Sequence, residues 1–94
     1  MNDTAIERIK SQILERVNQE TDKLICSEEE TNKLISQVRE QLCQGVERMK
    51  ASGLFTEKEY LEVSEYYDST LRGRHSDMLA DLRRRDRENF QFFA

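Results

Sequence analysis

Three Ser/Thr-x-x-Glu signatures divide this chain, pairing Thr4 with Glu7, Ser27 with Glu30 and Thr56 with Glu59. In each, a hydroxyl is placed to accept from the backbone N–H three residues on, and the glutamate is placed to return the bond. Each therefore marks a helix start. Apolar residues follow every signature at steps of three and four, the spacing of one helix face. The pattern predicts an all-α fold: an antiparallel helical hairpin plus a C-terminal helix or helices, forming a three- to four-helix bundle. A coiled-coil dimer is the open variant.

The first helix is expected over residues 5–25, with a stripe of Ile6, Ile9, Ile13, Val17 and Leu24 that Leu14 and Ile25 widen. Residues 27–33 contain no apolar side chain, and three glutamates follow Ser27 directly, which suits a helix N-terminus. A tight turn is expected near Cys26 and Ser27. Neither Gly nor Pro marks that break, so one continuous helix across it, a rod ~70 Å long, is the alternative. The second helix is expected over 28–51 with Leu34, Ile35, Val38, Leu42, Val46 and Met49 as its stripe. Gly45 interrupts it at a cost of roughly 1 kcal/mol relative to Ala, which points to close approach by another helix. Gly53 takes the left-handed position after the helix end.

Phe55 and Tyr60 flank the Thr56 cap at hydrophobic-staple spacing. A third helix is expected over 57–72, carrying Tyr60, Leu61, Val63, Tyr67 and Leu71. A break near residues 72–76, at Gly73, separates it from a fourth over 77–88 with Met78, Leu79 and Leu82. The alternative is one helix running through Gly73. Residues 89–94 form an aromatic tail with three phenylalanines.

Residues 46–60, V-E-R-M-K-A-S-G-L-F-T-E-K-E-Y, resemble the SHOCT motif, a short helical module of the form L-x-x-L-x-x-x-G-h-h-T-x-E-E-F. Met49, Gly53, Thr56, Glu59 and Tyr60 match its pattern. The resemblance implies oligomerisation or interaction and no catalytic residues. The chain departs from the motif by continuing more than thirty residues beyond it.

Length limits this chain to one domain, with little core of its own. Hydrophobic residues make up 36% and charged residues another 36%, a balance suited to thin bundles that expose much of each helix. A homo-oligomer or an obligate partner would supply the missing core. No apolar run reaches transmembrane length, and the N-terminus lacks the form of a secretory signal. Cys26 and Cys43 fall too far apart on a hairpin for an intrachain bridge, so free thiols and a cytoplasmic location are expected.

Motifs of enzymatic chemistry are thin. His75 is the only histidine, and its Arg- and Ser-rich surroundings read as a solvated linker. No H-E-x-x-H, C-x-x-C, phosphate loop or G-x-S-x-G occurs, so no catalytic residue, cofactor or metal site is expected. Charge does carry a signal. Residues 1–71 balance to −6, whereas residues 72–88 balance to +2 through six arginines and no lysine. Arginine's planar fork suits carboxylates and phosphates. Arg72, Arg74, Arg83, Arg84, Arg85 and Arg87, with Phe90, Phe92 and Phe93, are the candidate partner-binding residues. The expected function is a non-catalytic protein-interaction module: a small adaptor, chaperone, assembly factor or protein inhibitor. The alternative is a helical nucleic-acid-binding regulator using residues 72–87, a reading weakened by the three acids among its arginines.

Overall fold

A computed structural model describes residues 3–23 and 25–93, with side chains over 5–23 and 25–85. Three helices account for nearly all of it: α1 (Asp3–Thr21), α2 (Glu28–Ala51) and α3 (Glu57–Phe93). The expected all-α bundle is what forms, in its hairpin version. Cross-helix pairs set the directions. Lys10 meets Glu62 and Thr21 meets Arg74, so α1 and α3 run parallel. Arg39 meets Asp68 and Asn32 meets His75, so α2 is antiparallel to α3.

Two of the three helix starts carry the expected caps. Ser27 Oγ accepts from the Glu30 N–H at 3.1 Å. Thr56 and Glu59 exchange bonds in both directions, at 2.9 and 3.1 Å. The first start differs: α1 begins at Asp3, which puts Thr4 inside the helix instead of capping it. The side chain of Thr4 lies outside the described residues, as does Leu24. Past α2, Gly53 sits at φ 77°, and the N–H groups of Gly53 and Leu54 donate to the carbonyls of Lys50 and Met49. That double bond is a Schellman ending, and only glycine takes its left-handed residue without strain.

The first helix stops at Thr21, four residues short of its expected end. Two side chains from α3 account for this. Arg74 Nη2 donates to the Thr21 carbonyl at 3.3 Å, and Arg85 Nη2 donates to the Ile25 carbonyl at 3.1 Å. Carbonyls left without an intrahelical donor thus find charged ones. Residues 22–27 form the connection, and Ile25 is buried from within it.

Gly73 does not break α3. The burial of Leu71 and Met78 on either side, at 0% and 9% exposure, outweighs a helical glycine's cost. The fourth helix and the separate aromatic tail are therefore one continuation of α3, helical to Phe93. The core is a single column of Ile6, Ile13 and Val17 from α1, Leu34, Ile35, Val38 and Val46 from α2, and Val63, Leu71 and Met78 from α3. Phe55 and Tyr60, on either side of the Thr56 cap, are both half-buried against this core. Leu14 (44% exposed) and Leu61 (52%) were expected on the buried stripes and face outward instead. Each lies on the flank of its stripe, where no third helix arrives to cover it.

Candidate interaction surfaces

The arginines of α3 divide by what they touch. Arg74 and Arg85 serve the fold. Arg74 Nε donates to Thr21 Oγ1 at 2.8 Å, and that hydroxyl in turn donates to the Val17 carbonyl at 2.6 Å. Arg85 adds a 3.2 Å ion pair with Asp81 to its bond with Ile25. These two side chains, with Thr21, Thr31 and Asp77, line a cavity of about 270 Å³ under the α1–α2 connection.

Arg72, Arg83 and Arg84 are exposed. Arg72 pairs with Asp68, which Arg39 also holds from α2, and Arg84 pairs with Asp81. The Arg39 and Arg72 guanidinium groups keep the Asp68 carboxyl below its ordinary pKa, with the Arg39 hydrogen bond the largest cause. Arg83 makes no ion pair with a described residue and lines a shallow hollow with Cys26 and Leu79. Arg87, Phe90, Phe92 and Phe93 stand on the helical backbone of α3, but their side chains lie outside the described residues.

The length of α3 sets where this segment sits. It exceeds α2 by 13 residues, roughly 20 Å of helix. Glu47 pairs with Tyr60 near one end of the α2–α3 contact. At the other end, Ser27 and Glu28 lie against Leu79, Leu82 and Arg83. The surplus therefore falls at the C-terminal end, past the connection between α1 and α2.

A second surface had only one sequence signal, Gly45. On the side away from α3, α1 and α2 leave a groove of about 450 Å³ between them. Ile13 and Val46 are its buried members, and Ile9, Leu42, Gly45 and Met49 are half-buried along it. The polar members are Gln12, Arg16, Gln41, Gln44 and Arg48, with no acid among them. Arg16 Nη2 donates to Gln41 Oε1 across the groove at 3.3 Å, and Arg16 Nε pairs with Glu20 at 3.4 Å. A Cβ added to Gly45 would meet no heavy atom within 4 Å. Among the described residues no other helix approaches it, contrary to the packing reading of that glycine.

Chemistry is sparse elsewhere. His75 stands in α3 and not in a linker, and its Nε2 lies 2.6 Å from Asn32 Oδ1. The Tyr67 phenol is pushed up to about 12, first by burial and then by a hydrogen bond with Cys43. Both cysteines are free thiols. Among the described residues no group of three His, Cys, Asp or Glu is placed to hold a metal ion, and no helix is long and apolar enough to cross a membrane. Comparison with family models, curated proteins and solved structures returns no match for this chain.

Proposed function

We propose that this chain is a non-catalytic protein-binding module, an adaptor, chaperone, assembly factor or inhibitor, that presents the C-terminal stretch of α3 to a protein partner. The observation that carries the reading is the 13-residue surplus of α3 beyond α2. A bundle that needed only to bury its core would end its third helix where the second begins. Here the helix continues, and its sequence adds Arg87, Phe90, Phe92 and Phe93 past the exposed Arg83 and Arg84. Arginine and aromatic residues are the types enriched where binding energy concentrates. The resemblance of residues 46–60 to the SHOCT motif agrees with an interaction role, and the free thiols agree with a cytoplasmic one.

The test is capture of partners from source cells by the tagged chain, compared with a Phe92→Ala, Phe93→Ala variant. The expected result is one protein retained by the wild type at moderate salt and lost by the variant. Equal capture by both would remove α3's end from the interface. Nucleic acid is the competing target, and the pairing of Arg72 with Asp68 and of Arg84 with Asp81 lowers the charge available to phosphates. A gel-shift titration at low salt with duplex and single-stranded probes should show no complex. A complex that weakens steeply with salt would transfer the function to nucleic acid.

A further inference from the structure

We infer that the cavity under the α1–α2 connection binds a small oxyanion of phosphate type, with Arg85 Nε as its buried donor and Arg74 and Lys23 supplying charge. This site is separate from the end of α3 and does not depend on the function proposed for it.

Two unmet demands share this space of about 270 Å³. The first is a donor. Arg85 Nη2 reaches the Ile25 carbonyl and Asp81, but Arg85 Nε is closed to solvent and has no hydrogen-bond partner. A buried donor without an acceptor is destabilising, and it points to a water or an ion. The second is a charge. Arg74 is half-buried, yet its partners are the neutral hydroxyl and carbonyl of Thr21, and among the described residues no carboxylate pairs with it. A cation withdrawn from water is normally balanced by an opposite charge. One oxyanion supplies the missing acceptor and the missing charge together.

The lining selects the kind of ligand. Thr21 and Thr31 are fully buried, but each hydroxyl already gives its hydrogen to a carbonyl, that of Val17 or Ser27. The donors left over are therefore cationic, and a guanidinium suits oxyanions. Lys23, Arg74 and Arg85 line the cavity against Asp77 and Asp81. Arg84, outside the lining, shares Asp81 with Arg85, and Asp77 is exposed. Four cations thus face two acids, a surplus of two positive charges. A phosphate group carries about −1.5 to −2 at neutral pH and matches that surplus, where a single carboxylate does not. A metal ion would add to the positive charge, and a neutral ligand would leave Arg74 unbalanced. At ~30 Å³ per water, the space holds a phosphate together with part of its hydration shell. Bound there, the ion ties the connection that carries Lys23 and Ile25 to α3.

The test is a titration of the full chain with inorganic phosphate at constant ionic strength, followed by proton–nitrogen NMR, which reads arginine Nε–H groups one by one. The Arg85 Nε–H and the Lys23 backbone N–H should shift and saturate, with a midpoint of about 1 mM or below. The Nε–H of Arg83, which is exposed and outside this cavity, should stay in place. Lys23→Gln removes an exposed cation and should weaken binding roughly threefold. Arg85→Lys keeps the charge, loses the buried Nε donor and should abolish saturation while circular dichroism shows helix content unchanged. If that variant does not fold, the wild-type titration and Lys23→Gln decide the matter. Thermal melts give a second readout: phosphate should raise the midpoint of the wild type more than that of Lys23→Gln, whereas general exclusion of the salt raises both alike. An Arg85 signal that does not move overturns the inference. So does an equal shift at Arg83, which would mean surface attraction only, or acetate binding as tightly as phosphate.

Discussion

Thr21 is fully buried, and its hydroxyl both donates to Val17 and accepts from Arg74, so one oxygen joins the end of α1 to the middle of α3. Thr21→Val keeps the shape and leaves the Arg74 Nε without that acceptor. It should cost about 1–3 kcal/mol, read as a lower urea midpoint at unchanged slope. Two carboxyls make a pH-dependent contribution at the same scale. Glu59 is held below its ordinary value, chiefly by the Thr56 backbone N–H, and Asp68 chiefly by the Arg39 hydrogen bond. A depressed folded-state pKa gives stability that is present above the unfolded value and lost as pH falls through the folded one. Stability should therefore decline as pH drops below 4.5 and through 3.8, the reference values of the two groups. Arg39→Met should flatten part of that decline. At the alkaline end the sign reverses. The Tyr67 phenol, held protonated by burial, supports the fold below pH 10 and loses that support as pH rises toward about 12. Tyr67→Phe should make that limb shallower in thermal melts, with Tyr60 and Lys10, both also raised, accounting for what remains.

At the scale of elements, the glycines separate local preference from tertiary demand. Gly73 is helical, exposed and surrounded by open space. Gly73→Ala should stabilise the chain by about 1 kcal/mol, since alanine recovers helix propensity and meets no neighbour. Gly53 also has open space, but its φ of 77° penalises any Cβ, so Gly53→Ala should destabilise by about 1–2 kcal/mol. Chemical denaturation of the two variants should thus move in opposite directions. Thr56→Ala should cost about 1 kcal/mol by removing one side of the reciprocal cap at the start of α3.

For the whole molecule, the continuous α3 dictates shape. The chain spans 59 × 21 × 18 Å with a Cα radius of gyration of 16.5 Å, long for 94 residues because its third helix runs unbroken to Phe93. Solution scattering from the single chain should return a longest dimension near 59 Å. A markedly shorter one would mean that the helix bends at Gly73 and its end folds back on the bundle.

Much of this was readable before any coordinates. The caps at Ser27 and Thr56, the Schellman glycine and the span of α2 rest on contacts between residues three to five apart, and short-range interactions leave their mark on short stretches of sequence. Helical class followed from the same periodicity. What tertiary structure decided depends on residues brought together from afar. The end of α1 is set by Arg74 and Arg85, more than fifty residues away, and Gly73 stays helical because Leu71 and Met78 have a core to enter. Leu14 and Leu61 point outward because three helices cover only part of each stripe. The groove at Gly45 exists because α3 packs on one side of the α1–α2 pair and leaves the other open. Such a surface belongs to no single helix, and no periodicity along the chain encodes it.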